Sequence, residues 1–136
     1  MIKGLDTNVL VRYLTQDDEG QAEVEVATRT IEGAAAKGEK LLIQPIILCE
    51  LVWVLESAYN FPKSDLLRAL EGVLRVAQFE IAEKDTVWQA LSDFRQGKGD
   101  FSDYYLGRAN EKAGAAITLT FDKTLKGIPR FQVLSA

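Results

Sequence analysis

The opening stretch of the chain constrains the fold most, because a short apolar segment runs through one acidic residue straight into a helical pattern. Residues 2–5 have the character of a strand, and apolar side chains between positions 9 and 14 recur at the spacing of a helix with one buried face. Thr7 or Asn8 is expected to cap that helix. Asp6 then falls at the carboxyl end of a strand and beside the positive end of the helix dipole, where open α/β sheets bind ligands. The alternative is that Asp6 only helps to cap the helix.

The rest of the chain alternates helical and strand patterns in the order of a mainly parallel, three-layer α/β domain. Helices are expected at residues 21–37, 45–58, 85–96 and 102–113, and a further helix, capped by Ser64 or Asp65, is expected to run to about residue 76. Strands are expected at 41–43, 79–81, 116–121 and 131–134. The helix at 45–58 is apolar on nearly all sides, so it must be buried by its own domain or by a partner chain. With 136 residues, no repeat and no linker, the chain is expected to form a single domain over residues 1–136.

Two absences narrow the chemistry. The chain has no histidine and one cysteine, Cys49, which excludes histidine general bases, Ser-His-Asp triads and zinc sites built from histidine or several thiolates. Hydrolysis would then depend on carboxylates, lysine, tyrosine or a hard cation bound by oxygen ligands. The net charge of −4 argues against nucleic-acid binding through bulk charge. It leaves a local site open, because a bound divalent cation reverses the local sign.

Cysteine usage and hydropathy indicate where the protein is expected to work. Cys49 lies alone in an apolar segment, as is common in a reducing compartment. We find neither a signal peptide nor an apolar stretch of the roughly 20 residues that a membrane-spanning helix needs. The sequence therefore predicts a cytoplasmic protein without a membrane segment.

Acidic side chains stand at element ends or interrupt apolar elements in four regions. Asp6 follows the first strand, Glu50 interrupts the apolar helix, Asp100 and Asp103 enter the last helix, and Asp122 follows a strand. Separately, these residues also suit a solvent edge, a first helical turn, a loop or a turn. Together they indicate a shared site, because the carboxyl ends of parallel strands meet at one sheet edge. Carboxylates crowded there repel unless they are protonated or bind metal, which predicts metal-dependent phosphodiester hydrolysis.

These acids, in this order, carry a resemblance to a known family. The triplet Asp6-Thr7-Asn8, Glu50 in an apolar helix, the segment 99–103 and the triplet Thr120-Phe121-Asp122 resemble a PIN-domain nuclease. More narrowly, the chain resembles the VapC-type toxin ribonucleases of type II toxin–antitoxin systems, over essentially its whole length. The resemblance implies a parallel sheet of strand order 3-2-1-4-5 with helices on both faces. It also implies hydrolysis of single-stranded or looped RNA.

The resemblance assigns roles to individual residues. Four acids would be catalytic and hold one or two Mg²⁺ or Mn²⁺ ions: Asp6, Glu50, Asp103 and Asp122. Asp100 is a further candidate ligand, and the sequence leaves open whether Asp100 or Asp103 is closer to the metal. Thr7, Asn8 and Thr120, with Asp100 if it is not a ligand, would orient the ligands or waters.

Contacts to substrate and partners are also expected. Arg12, Arg95 and Lys98, and beside them Arg108 and Lys123, are candidates for binding RNA phosphates, although each also suits a solvated surface. Tyr104 and Tyr105 suit either base stacking or the core. The family implies a homodimer and a VapB-like antitoxin whose tail covers the apolar helix and blocks the active site.

Other functions remain open at this point. A nuclease of the same fold that acts on structured DNA would use the same acids, and a catalytically silent PIN-like module would bind RNA or protein without turnover. A phosphatase or phosphoacceptor domain also places an aspartate after its first strand. Such domains want a second aspartate two positions later, where this chain has Asn8.

Overall fold

The computed structural model describes residues 2–17 and 20–135. The chain forms two compact units, Met1–Glu83 and Lys84–Ala136, and each is described by itself.

The first unit contains three parallel strands and four helices. Its elements are β1 (Lys3–Gly4), α1 (Thr7–Thr15), α2 (Gln21–Ala36), β2 (Leu41–Ile43), α3 (Pro45–Ser57), α4 (Lys63–Arg75) and β3 (Phe79–Ile81). The strands pair in the order β1-β2-β3, with Lys3 opposite Leu41 and Leu41 opposite Phe79. Parallel strands need a crossover between them, and the helices supply it.

The core of the first unit follows the spacing of its apolar residues. On α2 the buried side chains are Val24, Ala27, Ile31 and Ala34, which recur every three or four residues and so lie on one face. Leu41 and Ile43 of β2 are also buried. The result is a layer of helices packed on a short sheet.

The second unit is built from two helices and two parallel strands. Its elements are α5 (Lys84–Gln96), α6 (Phe101–Lys112), β4 (Thr118–Thr120), a 3₁₀ turn (Lys123–Leu125) and β5 (Phe131–Val133). Thr118 of β4 lies opposite Phe131 of β5. The rings of Phe94 on α5 and Phe101 on α6 meet edge to face, with centroids 6.0 Å apart, and join the two helices.

Close packing fixes the loop before α6. A Cβ atom on Gly97 would overlap the hydroxyl of Tyr104, so this position requires the absence of a side chain. The same hydroxyl accepts a hydrogen bond from the backbone N–H of Gly99 (2.9 Å). Tyr104 is buried and therefore anchors the segment that presents Asp100.

The fold class predicted from the sequence is confirmed: within the described residues the chain is a mixed α/β protein with six α-helices and parallel strands. The two observed strand orders, β1-β2-β3 and β4-β5, are both contained in the predicted order 3-2-1-4-5. The neighbour relation between the first and fourth strands, and a single domain over 1–136, stay predictions.

Several predicted element ends differ from the structure by one or more residues. Asp6, rather than Thr7 or Asn8, is the N-cap of α1: it is extended (φ −89°, ψ 160°), and its Oδ1 accepts from the Thr7 N–H (2.7 Å). The fourth helix begins at Lys63 with Pro62 as its N-cap, so neither Ser64 nor Asp65 caps it. The strand expected at 116–121 pairs only over Thr118–Thr120.

In the part of the chain that the structure describes, none of the helices combines the length and apolarity required to cross a bilayer.

Candidate active site

Asp6 and Thr7 form the first element of the site in the first unit. Asp6 is exposed at the N-terminus of α1, and one of its carboxylate oxygens caps the helix. Thr7 is buried, and its Oγ1 donates a hydrogen bond to Oε2 of Glu50 on α3 (2.7 Å). Hydrogen bonds that involve an ionised partner are shorter and stronger than neutral ones. The Thr7 hydroxyl therefore fixes the position of the Glu50 carboxylate.

These residues open onto one pocket of about 400 Å³, here called the Asp6/Glu50 pocket. Its polar lining comes from Asp6, Thr7, Asn8, Arg12 and Glu50. The structure thus brings together two predicted metal ligands, two predicted orienting residues and one predicted phosphate contact. The pocket combines anionic oxygens with one cationic group.

Arg12 is held in this pocket by its surroundings. Its guanidinium lies 3.9 Å from the Asp17 carboxylate and 3.8 Å from that of Glu23. A Cβ atom on Gly20 would come within 2.7 Å of the guanidinium carbon, so the glycine leaves the space that Arg12 occupies. Ion pairs this long and partly exposed contribute little to stability. A phosphate can therefore compete with these carboxylates for Arg12.

Cys49, which precedes Glu50, is a half-buried free cysteine. Burial, together with the charge of Glu50, raises the pKa of the Cys49 thiol to about 11. The thiol is protonated at neutral pH, and the thiolate is the form that attacks substrates or binds metals. The carboxylates remain the reactive side chains.

In the second unit, Asp100 and Asp103 are joined at the start of α6. Asp100 is the N-cap, and its backbone N–H donates to Oδ2 of Asp103 (3.1 Å). An acidic residue at the third helical position commonly turns back in this way. Burial, and the charges of Asp100 and Asp122, raise the pKa of Asp103, while the hydrogen bond from the Asp100 backbone opposes the rise. The three acids therefore influence one another electrostatically.

Asp122 follows β4 and is held by a residue that the sequence analysis missed. Its Oδ1 accepts hydrogen bonds from the hydroxyl (2.7 Å) and the backbone N–H (2.9 Å) of Thr124. These bonds lower the pKa of Asp122. The Asp122 N–H in turn donates to Thr120 Oγ1 (3.0 Å). The Asp-x-Thr spacing after a strand is typical of such local turns and was a usable signal.

The donor atoms fit a hard cation, because all five predicted ligands supply carboxylate oxygens. The structure arranges them as two acidic sets: Asp6 with Glu50 in the first unit, and Asp100, Asp103 and Asp122 in the second. Across residues 2–17 and 20–135, no three histidine, cysteine, aspartate or glutamate side chains lie close enough to hold a metal ion.

The other predicted substrate contacts differ in their surroundings. Arg95, Lys98 and Lys123 are exposed. Arg108 donates two hydrogen bonds to the carboxylate of Asp93 (2.7 and 2.9 Å), so its charge serves that ion pair and a phosphate contact is not supported.

The two tyrosines that are candidates for base stacking differ in burial. Tyr104 is buried, so the prediction that it stacks on a base is wrong and its alternative core role is confirmed. Tyr105 is half-buried.

Comparison with known proteins identifies the family of this chain. A family model for the PIN domain matches residues 4–130. The chain belongs to the PIN domain family. It is also 28% identical over 125 residues to a protein named VapC ribonuclease from Aquifex aeolicus (strain VF5), which covers 92% of this chain and 90% of that protein. Both findings agree with the resemblance carried by the acidic residues.

Proposed function

We propose that this protein is a metal-dependent endoribonuclease and the toxin of a VapBC-type toxin–antitoxin pair. The observation that carries the proposal is the Asp6/Glu50 pocket, which two carboxylates line and in which Thr7 holds Glu50 by a hydrogen bond of 2.7 Å. Membership of the PIN domain family and similarity to a protein named as a ribonuclease support the reaction class.

In this proposal the predicted acids hold the metal that cuts a phosphodiester bond. The metal ligands would be Asp6, Glu50, Asp103 and Asp122, with Asp100 as a ligand or an orienting residue. A bound Mg²⁺ or Mn²⁺ ion, or two, would supply the Lewis acid and the acidified water that a chain without histidine lacks. Carboxylate ligands agree with the preference of these ions for oxygen atoms.

The chain's own side chains prepare that set of ligands. Thr7 orients Glu50, and Thr124 fixes one oxygen of Asp122. Asp103, whose pKa is raised, ionises more readily once positive charge is nearby. Arg12 in the pocket, with Arg95 and Lys98, would bind RNA phosphates.

Cleavage of total cellular RNA with Mg²⁺, with Mn²⁺ and with EDTA tests the proposal. Asp6→Asn is the matched variant, because asparagine caps a helix as well as aspartate while removing the charge. We expect discrete fragments only from the original protein and only with metal. Cleavage that persists in EDTA or in Asp6→Asn would contradict the proposal.

The same assay separates the alternatives. Faster cutting of DNA flaps than of RNA would favour the structure-specific DNA nuclease. Binding of RNA without metal-dependent cleavage would favour the silent module.

Partners follow from the exposed face of α3. Ile46 and Trp53 are 63% and 70% exposed. They lie seven residues apart and therefore on one side of the helix. Isolated exposed apolar residues are ordinary, but this helix is apolar almost throughout. We propose that a second copy of the chain and a VapB-like antitoxin cover it.

The molar mass in solution, measured by light scattering, tests the homodimer. The original protein should have twice the mass of the chain and Trp53→Glu the mass of one chain. A monomer in both cases would contradict it. The cytoplasmic location stays a prediction.

A further inference from the structure

The Asp6/Glu50 pocket has an apolar end that the proposed metal chemistry does not use. Besides its polar lining, the pocket is bounded by Val11, Val54, Ala58 and Tyr59. Glu50, Val54 and Ala58 recur every four residues and so form one stripe along α3. The Glu50 carboxylate therefore lies at one end of this stripe, and the apolar side chains of Val54 and Ala58 lie toward the other end.

Tyr59 is the aromatic residue in this lining, and the turn after α3 holds it in place. The chain reverses at Asn60, which is in the left-handed conformation (φ 56°) that asparagine tolerates better than most residues. The N–H of Phe61 then donates to the carbonyl of Leu55 (3.0 Å), which closes the turn. The backbone that carries the Tyr59 ring is therefore fixed from both sides.

The other end of the Tyr59 side chain is fixed as well. Its hydroxyl donates to Oδ2 of Asp17 (3.2 Å), and the same oxygen of Asp17 lies 3.9 Å from Arg12. Tyr59 remains half-buried, so it still contributes surface to the pocket. A ring that is ordered before binding loses little conformational entropy when a ligand packs against it.

The lining therefore offers three kinds of contact to one ligand. Carboxylates lie at one end, Arg12 offers a guanidinium to a phosphate, and Tyr59 with small aliphatic side chains offers an apolar face. A nucleotide has the complementary groups: a phosphate that metal or arginine binds, and a flat base that stacks on aromatic rings. A peptide or a lipid does not supply a planar group next to a phosphodiester.

We propose that the apolar end of the Asp6/Glu50 pocket binds one unpaired nucleobase of the RNA, stacked on Tyr59, next to the bond that is cut. The inference rests on the proposed ribonuclease function and adds a specificity residue to it. It requires the base to be unpaired, because a paired base keeps both faces within its helix.

Affinities for short, labelled single-stranded RNAs, one homopolymer for each base, test the inference by fluorescence anisotropy. Ca²⁺ replaces Mg²⁺ in the titrations, and a gel checks that the RNA stays intact. Losing a stacking ring weakens binding by roughly five-fold or more per base, so Tyr59→Ala should bind about tenfold more weakly. Tyr59→Phe keeps the ring and should bind as the original protein does.

Tyr13→Ala is the matched control. Tyr13 is a half-buried tyrosine of the same unit that does not line the pocket, and its ring packs edge to face on Phe79 at 6.3 Å. Removing it should lower the unfolding temperature and leave RNA affinity unchanged. Equal losses in Tyr59→Phe and Tyr59→Ala would overturn the inference, because the hydroxyl bond to Asp17 would then explain them.

An RNA that lacks one base locates the contact. Removing the base that stacks should weaken binding to the original protein and leave binding to Tyr59→Ala unchanged, since the two changes delete the same contact. Failure of the original protein to bind any of the RNAs, or unchanged affinity in Tyr59→Ala, would overturn the inference.

Cleavage assays separate this result from the proposed function. If RNA is cut and Tyr59→Ala leaves KM unchanged, the base site is wrong and the ribonuclease stands. If no RNA is cut but the affinities follow the expected pattern, the base site stands and the ribonuclease is wrong.

Discussion

Replacing Thr7 with valine isolates the contact that positions Glu50. Valine keeps the branched shape and removes the hydroxyl that donates to Glu50 Oε2. A hydrogen bond to a charged group contributes roughly 1.5–3 kcal/mol, but water can replace it at an exposed acceptor such as Glu50. We therefore expect the free energy of unfolding to fall by about 1 kcal/mol or less. The helix cap is retained, because Asp6 accepts from the backbone N–H of residue 7.

Activity should fall much further than stability. Loss of a residue that orients a metal ligand typically costs 10–100-fold in metal affinity or activity. Cleavage rates measured across a Mg²⁺ titration should show either a higher metal midpoint or a lower maximal rate in Thr7→Val. Urea unfolding of the same preparations supplies the stability difference.

Thr15→Val is the control for this experiment. Thr15 lies on the same helix, its hydroxyl donates to the Val11 carbonyl (2.8 Å), and it does not line the Asp6/Glu50 pocket. Its removal should leave cleavage unchanged. A folded Thr7→Val protein with the original metal midpoint and rate would refute the idea that Thr7 positions a catalytic carboxylate.

Three further changes follow from the second unit. Burial and acidic neighbours raise the pKa of Asp103, so the folded protein favours its protonated carboxyl group. The contribution of this group to the free energy of unfolding is therefore complete in acid and is lost as the pH rises through the pKa of the folded state. Asp103→Asn should therefore raise the unfolding temperature in EDTA near neutral pH, with the gain vanishing in acid, while cleavage is lost. Thr124→Val removes one bond that lowers the pKa of Asp122, so the acid limb of the pH–rate profile should move upward; an unmoved limb would argue against Asp122 in catalysis. Arg108→Lys loses the two-pronged bond to Asp93 and should lower the free energy of unfolding by roughly 1–2 kcal/mol without changing KM for RNA; a raised KM would restore Arg108 as an RNA contact.

The sequence predicted element types better than their ends, for a physical reason. Apolar periodicity over a whole helix reports which face is buried, and α2, α5 and α6 were found where that period placed them. A cap depends on one residue's backbone conformation, which the period does not specify. The sequence therefore offers Thr7 or Asn8 as the cap of α1 and leaves open whether Asp6 is a ligand or helps to cap the helix, whereas the structure shows that Asp6 is the cap.

The candidate site was predictable as far as residue types carry chemistry. Each of the five acids is ordinary alone, and they stand out because they recur after strands, at a helix start and within an apolar helix. The contact of Thr124 with Asp122 has a sequence signal, the Asp-x-Thr spacing after a strand. Tyr59 has no such signal, because a tyrosine after a helix is ordinary, and its significance appears only in its place within the Asp6/Glu50 pocket.

We propose that the predicted acids serve one metal-dependent reaction on RNA. The most direct test is the rate of RNA cleavage in Mg²⁺ by Asp6→Asn, by Asp122→Asn and by the double variant. Residues that act as one unit give losses that do not add. The account predicts that each single variant loses as much activity as the double variant. Losses that multiply in the double variant, or full activity in either single variant, would contradict it.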